Sequence, residues 1–188
     1  MRKNLGVLSA IFPMPVLLIG TYDKDGNVDV MNAAWGMMVD SNKVALNLTK
    51  SHKTVKNIME TKAFTVSIAV KEYMTEADYF GIVSGNTVPD KFNKSGLTAV
   101  KGEFVNAPII NELPVAMECK FIEYQDDENG CGVIGEIVNV SANEMVLDSN
   151  GNIEPAKLNA ILYDPFKHGY YMVGEKVGNA FMEGKSLK

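Results

Sequence analysis

The sequence predicts a mainly β protein, an antiparallel β-barrel that is closed or nearly closed, with a few helices covering its ends. Many short apolar or β-branched segments are separated by closely spaced turns, whereas only two or three segments have helical periodicity. The 188 residues suit a single domain over residues 1–188. With 46% hydrophobic and 22% charged residues, the composition is typical of folded globular proteins.

Turn residues divide the chain into the predicted strands. Asp23 to Gly26 supply the turn of a first hairpin, and Asn150-Gly151 marks a turn near the C-terminus. Short apolar runs between such turns are typical of buried strands. The predicted strands are residues 15–22, 28–34, 44–48, 63–70, 117–124, 131–140, 144–147 and 170–173.

The dipeptide Asn129-Gly130 is a strong signal for a hairpin turn. The register that it sets keeps Cys119 and Cys131 from facing each other, so we expect no disulfide. Each cysteine is expected to be a small buried hydrophobe in a strand. Because neither these cysteines nor the distant His52 and His168 have ligand spacing, no metal site is predicted.

Charge and hydropathy argue against several partners. A net charge of −5 disfavours binding to a nucleic acid backbone or an anionic membrane surface. No apolar stretch approaches the roughly 20 residues that span a bilayer. Pro13 and Pro15 interrupt the apolar run that follows Arg2 and Lys3, so a signal peptide is not predicted. We therefore expect a cytoplasmic protein with no nucleic acid or membrane partner.

The start of the first predicted helix, over residues 51–62, is a candidate anion site. Ser51 is the predicted N-cap, and unpaired N–H groups with the positive end of the helix dipole favour an anion there. Lys53 adds a cation, and Ser51 and Thr54 add hydroxyl donors, so a monophosphate fits. The alternative is an ordinary capped helix with a solvated lysine. His52 is interpreted as a solvated residue because no nucleophile elbow accompanies it.

Residues 30–38 combine an amide, two small side chains and the only tryptophan of the chain. Ala33-Ala34 would let a flat ring lie against the backbone, and the Asn32 amide would read its polar edge. If Asn32 is buried it needs partners, of which a ligand is one. The alternative is a core corner rich in Met and Trp, which we expect for Met37-Met38.

A predicted loop over residues 84–96 follows a second predicted helix over residues 72–83. It carries a hydroxyl, a cation and an aromatic ring in Ser84, Lys91 and Phe92, and is either a plain surface loop or a lid. The sequence has neither a P-loop nor a GxGxxG motif after a strand. It therefore indicates neither nucleotide hydrolysis nor a Rossmann dinucleotide site.

A series of motifs runs through nearly the whole chain in a specific order and spacing. They are Pro15-Val16-Leu17-Leu18-Ile19-Gly20-Thr21, Asn32-Ala33-Ala34-Trp35, Asn47-Leu48, Ser51-His52-Lys53-Thr54, Asp78-Tyr79-Phe80-Gly81, Ser84-Gly85, Asp90-Lys91-Phe92, Ala107-Pro108-Ile109-Ile110, Glu118-Cys119-Lys120 and Gly135-Glu136-Ile137-Val138. Together these motifs resemble the flavin reductase-like, FMN-binding split-barrel family, and specifically its flavoredoxin-type members.

The resemblance implies a homodimer with one FMN per subunit near the dimer interface. The phosphate would lie on the start of the first helix, and the flavin ring would lie along residues 32–35 and 47–49. Lys91 would reach the ring from the loop, and Phe166 or Tyr163 would flank it. The cofactor-binding residues implied are Asn32, Ala33, Ala34, Trp35, Asn47, Leu48, Thr49, Ser51, His52, Lys53, Thr54, Ser84, Lys91 and Phe166.

For the function, the resemblance implies an FMN-dependent oxidoreductase or electron-transfer flavoprotein. The cofactor would carry the chemistry, so no catalytic side chain is predicted. One alternative is an NAD(P)H:flavin oxidoreductase that uses flavin as a substrate. Another is a non-enzymatic flavin-binding module. The sequence does not distinguish NAD(P)H from a redox protein as the electron donor.

Overall fold

A computed structural model describes residues 1–126 and 131–187, with the side chain of Cys131 excepted. Its secondary structure is dominated by strands. The strands are β1 (Met14–Pro15), β2 (Leu17–Tyr22), β3 (Val28–Ala33), β4 (Gly36–Asp40), β5 (Lys43–Asn47), β6 (Ala63–Ile68), β7 (Ala99–Lys101), β8 (Pro108–Ile110), β9 (Val115–Asp126), β10 (Cys131–Ala142), β11 (Ile161–Asp164) and β12 (Gly169–Met172).

Three α-helices and several short 3-10 turns connect the strands within the described residues. The helices are α1 (Lys53–Thr61), α2 (Met74–Ile82) and α3 (Lys91–Ser95), and the 3-10 turns are Lys71–Tyr73, Glu144–Val146, Pro155–Lys157 and Glu183–Leu187. Among these residues, no helix has both the length and the apolar character needed to cross a membrane.

The main sheet has seven antiparallel strands in the order β3-β2-β6-β9-β10-β5-β4. Its two end strands, β3 and β4, are joined only by Ala34 and Trp35, so the sheet curls on itself. A bond of 2.8 Å from Asn47 N–H to the Trp35 carbonyl extends the β4-β5 pairing into this connection. Two small sheets, β1-β11-β12 and β7-β8, pack beside it. This curled half-barrel confirms the predicted antiparallel split β-barrel.

Successive side chains of β2 point to opposite faces of the main sheet, and both faces are buried. Leu18 faces a cluster that includes Phe80 of α2 and Phe92 of α3. Ile19 faces the inside of the curl, where it belongs to a second cluster with Val55 of α1 and with Phe64. Helices α2 and α3 therefore cover the outer face, and α1 packs on the inner face beside β2 and β3.

The predicted hairpin between the first two long strands is confirmed as β2 and β3, which pair from Leu17 opposite Ala33 to Tyr22 opposite Val28. The Asn129-Gly130 turn lies outside the described residues. Its flanking strands β9 and β10 pair with Cys119 opposite Ile137, which confirms that Cys119 and Cys131 do not face each other.

Three predictions about loops, strands and burial were wrong. Residues 84–96 are not wholly a loop, because α3 forms there and ends at Gly96, whose φ of 75° suits glycine. Residues 144–147 are not a strand, since Asn143 caps a 3-10 turn by accepting from Met145 N–H at 2.9 Å.

The third error concerns Met37 and Met38, which are not core residues. They are 66% and 50% exposed because their strand, β4, is the last of the main sheet and is largely uncovered on both faces. The apolar character of these residues predicted burial, but the position of the strand in the sheet decides it.

Gly135 in β10 tests the packing of the inner face. A Cβ at this position would lie 2.3 Å from Cζ of the fully buried Phe64. We expect Gly135→Ala to lower the free energy of unfolding by about 1–3 kcal/mol through overpacking, measured by urea denaturation. Gly132→Ala in the same strand is the control, because a Cβ there meets nothing within 4 Å. Equal stabilities for the two variants would contradict this account of the core.

Candidate functional site

The start of α1 presents the N–H groups that the sequence analysis assigned to an anion. The N-cap is His52 rather than the predicted Ser51, because the His52 N–H donates to the Thr49 carbonyl and the helix begins one residue later. Lys56 N–H makes the first bond back into the helix, to the His52 carbonyl at 3.2 Å. The N–H groups of residues 53–55 therefore precede the first helical hydrogen bond. No side chain caps this end.

A cavity of about 140 Å³ lies at this helix start, and we call it the helix pocket. It brings together five of the predicted site residues from three segments of the chain. These are His52, Lys53, Thr54, Ser84 and Lys91. The remaining walls come from Met31 of β3 and from residues 80–83 and 85.

Lys53 is the half-exposed cation of the helix pocket. Its Nζ lies 3.4 Å from Oδ2 of Asp23 in the β2-β3 turn. Burial raises the pKa of Asp23, but hydrogen bonds from Asn27 and Asp25 and the charge of Lys53 outweigh that effect, so its pKa is lowered overall. Asp23 thus stays ionised and shares the Lys53 ammonium with any anion that enters.

Asp29 of β3 is a buried carboxylate directly behind the helix pocket, and only 4% of its surface is exposed. Its Oδ2 accepts a hydrogen bond from Thr54 Oγ1 at 2.6 Å. Its Oδ1 lies 3.6 Å from Lys91 Nζ. The Thr54 hydroxyl therefore points at Asp29 in this structure, and Thr54 presents its backbone N–H at the free end of the helix.

Lys91 is buried although it is charged, with only 2% of its surface exposed. Its Nζ donates to the Val83 carbonyl at 3.1 Å and lies 6.0 Å from the centre of the Phe80 ring. Burial lowers the pKa of Lys91, and the charge of Asp29 opposes that shift. Lys91, which the sequence analysis expected to reach a flavin ring from the loop, thus lies at the helix pocket, where the buried Asp29 supplies its counter-charge.

The 84–88 turn is tied to the helix start by Asn86. The Asn86 Nδ2 donates to the Ser51 carbonyl at 3.1 Å, and its Oδ1 accepts from Lys56 Nζ at 3.3 Å. Ser84 Oγ accepts from Asn86 N–H at 3.2 Å. Gly85 fits tightly against the carboxylate behind the pocket, since a Cβ there would lie 2.3 Å from Asp29 Oδ1.

A second cavity, of about 410 Å³, lies where β3 passes into β4, and we call it the Trp35 groove. It contains the predicted residues Ala34, Trp35 and Asn47. Most of its other walls are apolar, and the groove is shallow enough to leave Trp35 55% exposed. The remaining lining residues are Ile11, Pro13, Met14, Pro15, Gly36, Met37 and Ala45.

Asn32 lines neither cavity. Its Nδ2 donates to the Ala77 carbonyl of α2 at 2.9 Å, and its Cβ lies 3.4 Å from where a Cβ on Gly81 would stand. The side-chain amide of Asn32 thus has a hydrogen-bond partner within the protein, and this bond joins β3 to α2.

The other predicted residues also lie outside the two cavities. Ala33 and Leu48 are buried in the inner cluster, whereas Thr49 and Ser51 are exposed beside α1. Phe166 is half-exposed, and its ring centre lies 6.3 Å from that of Phe12, next to the wall of the Trp35 groove.

Sequence reasoning missed Asp29, Asp23, Gly85 and Asn86. Asp29 alone carried a usable signal, because it is a charged residue in an apolar strand and shares a strand face with Met31 and Ala33. A charge at such a position requires a buried partner. The partner of Asp29 was not identifiable without the fold.

Comparison with known proteins gives one consistent result. The flavin reductase like domain family matches residues 8–163. The structure of a flavoredoxin of Desulfovibrio vulgaris (Miyazaki F) is 39% identical, covers 98% of this chain and 100% of its own, and superposes with a TM-score of 0.93. A flavoredoxin from Methanosarcina acetivorans is 28% identical over the full length of both chains, with a TM-score of 0.89. An uncharacterized protein of Aquifex aeolicus is 28% identical over 82% of both chains.

Proposed function

Because this chain belongs to the flavin reductase-like domain family, we propose that it binds FMN and carries electrons or hydride through it. The observation that supports this most directly is the placement of two unlike cavities on one strand. Met31 of β3 lines the helix pocket, and Ala34 and Trp35 at the end of β3 line the Trp35 groove. At the rise of a strand, Met31 and Ala34 are about 10 Å apart. A polyol chain of five carbons suits a span of this length.

The helix pocket suits the phosphate of FMN. The N–H groups at the start of α1 and the ammonium groups of Lys53 and Lys91 supply donors and positive charge. The volume of about 140 Å³ admits a phosphate but not a three-ring system. In this proposal Lys91 serves the phosphate half of the site, since it lines the helix pocket and not the Trp35 groove.

The Trp35 groove suits the flavin ring. Its walls are mostly apolar, it has about three times the volume of the helix pocket, and the indole of Trp35 offers an aromatic face. The small side chain of Ala34 keeps the backbone accessible there. Asn47 supplies an amide at the same wall. Burial of a ring in this groove would exclude water from one of its faces.

Bound FMN would supply the redox chemistry, since a flavin accepts either a hydride or single electrons. The side chains have the narrower tasks of binding, orientation and exclusion of water. Cys119 does not act as a redox thiol in this proposal, because burial and the charge of Glu118 raise its pKa to about 12. NAD(P)H and a redox protein are both suitable electron donors.

We also propose that the protein is a homodimer. Apolar side chains are exposed along β4 and the Trp35 groove. They are those of Trp35, Met37, Met38 and Val39, and the exposed Ile11 and Phe12 extend this surface. A second copy of the chain would cover the free edge of β4 and this surface. Sedimentation equilibrium should give twice the chain mass of 20.6 kDa. The mass of a single chain at micromolar concentration would contradict the dimer.

Lys53→Ala tests the phosphate assignment. Loss of one charge-assisted contact, worth about 1.5–3 kcal/mol, should raise the dissociation constant of FMN roughly tenfold to hundredfold. The measurement is a titration followed by flavin absorbance and fluorescence. Lys71→Ala is the control, because Lys71 is exposed and lines neither cavity. An unchanged FMN affinity in the Lys53 variant would remove Lys53 from the site.

A further inference from the structure

The carboxylate of Asp29 does not line the helix pocket, yet it holds two residues that do. It accepts from Thr54 Oγ1 at 2.6 Å and lies 3.6 Å from Lys91 Nζ. A carboxylate that is 4% exposed has few alternatives to these partners. Its contacts therefore constrain both the first turn of α1 and the first residue of α3.

Asp29 is also linked to the 83–85 segment in two ways, through its partner Lys91 and through close packing at Gly85. Lys91 Nζ, which pairs with Asp29, donates to the Val83 carbonyl at 3.1 Å. Gly85 packs so closely on Asp29 Oδ1 that a Cβ at position 85 would lie only 2.3 Å away. Three walls of the helix pocket thus meet at one carboxylate behind it.

We propose that Asp29 is a positioning residue for the helix pocket, and that it keeps Lys91 charged and directed at the phosphate of FMN. Asp29 acts through Lys91 and Thr54 and touches neither the phosphate nor the ring. This inference rests on the proposed function, because it takes the phosphate to be bound in the helix pocket.

The charge of Lys91 depends on its surroundings. Asp29 faces it from β3. From α2, the uncharged Phe80 ring lies with its centre 6.0 Å from Lys91 Nζ. From α1, His52 and Lys53 line the same pocket. Within or next to α3, Asp90 and Lys94 pair with each other at 3.0 Å.

Asp29 is thus the carboxylate that compensates the buried ammonium of Lys91. Burial lowers the pKa of Lys91 and Asp29 raises it. Without Asp29, Lys91 should lose its proton at a lower pH. The affinity for a phosphate should then fall as the pH rises from 7 to 9, a range above the second pKa of a phosphate monoester, about 6.

The test compares FMN with riboflavin, which lacks the phosphate, in Asp29→Asn and in the wild type between pH 7 and 9. We expect the preference for FMN over riboflavin to fall about tenfold or more at pH 9 in the variant, while riboflavin affinity stays unchanged. The wild type should keep its preference over this range. Asp164→Asn is the matched control, because Asp164 is also a buried strand aspartate but lines neither cavity.

A loss of riboflavin and FMN binding in equal proportion would assign Asp29 a general structural role and overturn the proposal. The proposal would also be overturned if Asp29→Asn kept the wild-type preference for FMN over riboflavin at every pH from 7 to 9. If Asp29→Asn does not fold, Asp29→Asn/Lys91→Met removes both charges together. This double variant should match Lys91→Met in its reduced preference for FMN, with no pH dependence. If the double variant and Lys91→Met both kept the wild-type preference for FMN over riboflavin, the proposal would be contradicted.

Titration of the lysine ¹³Cε resonances, without flavin, separates this inference from the proposed function. Lys91→Met identifies the Lys91 signal, and Asp29→Asn should move its midpoint to lower pH. If the midpoint moves but the wild type does not bind flavin, the charge coupling stands and the proposed function fails. An unmoved midpoint overturns the role of Asp29 even if FMN binds.

Discussion

The carboxylate of Asp29 is the point where β3, the start of α1, α3 and the 83–85 segment come together. Its partners are a hydroxyl at 2.6 Å and an ammonium at 3.6 Å, both buried. Removing one partner of such a pair leaves an uncompensated charge, which costs about 3–5 kcal/mol. The two contacts are therefore a constraint on the fold, because moving α3 would separate the Lys91–Asp29 pair and moving α1 would break the hydrogen bond from Thr54 to Asp29.

This constraint holds Lys91 of the helix pocket close to the start of α1. The curled sheet alone would supply a strand end and an apolar surface, which is what the Trp35 groove offers. The helix pocket also needs two cations and a free helix terminus near one another in a chain with a net charge of −5. Asp23 and Asp29 hold Lys53 and Lys91 there by giving each ammonium a counter-charge. A phosphate can then replace or add to these contacts.

Much of the fold was predictable because it follows from local periodicity. The β2-β3 hairpin and the helix α1 were both predicted from the sequence. Predictions failed where a distant segment decides the outcome. Met37 and Met38, for example, are exposed because β4 ends the sheet. The N-cap is a local exception, since His52 replaces Ser51 because its N–H donates to the nearby Thr49 carbonyl. The sequence predicted an anion site at the start of α1 from local signals, but it did not identify Asp29, because the partners of Asp29 come from α1 and α3.

The central claim is that one ligand occupies the helix pocket with its phosphate and the Trp35 groove with its ring. Because Trp35 is the only tryptophan of the chain, a change in tryptophan fluorescence can be assigned to this one residue of the groove. We expect FMN and riboflavin both to quench this emission, with FMN binding more tightly and with inorganic phosphate weakening FMN binding but not riboflavin binding. Binding of FMN without a change in Trp35 emission, or equal affinities for FMN and riboflavin, would contradict the claim.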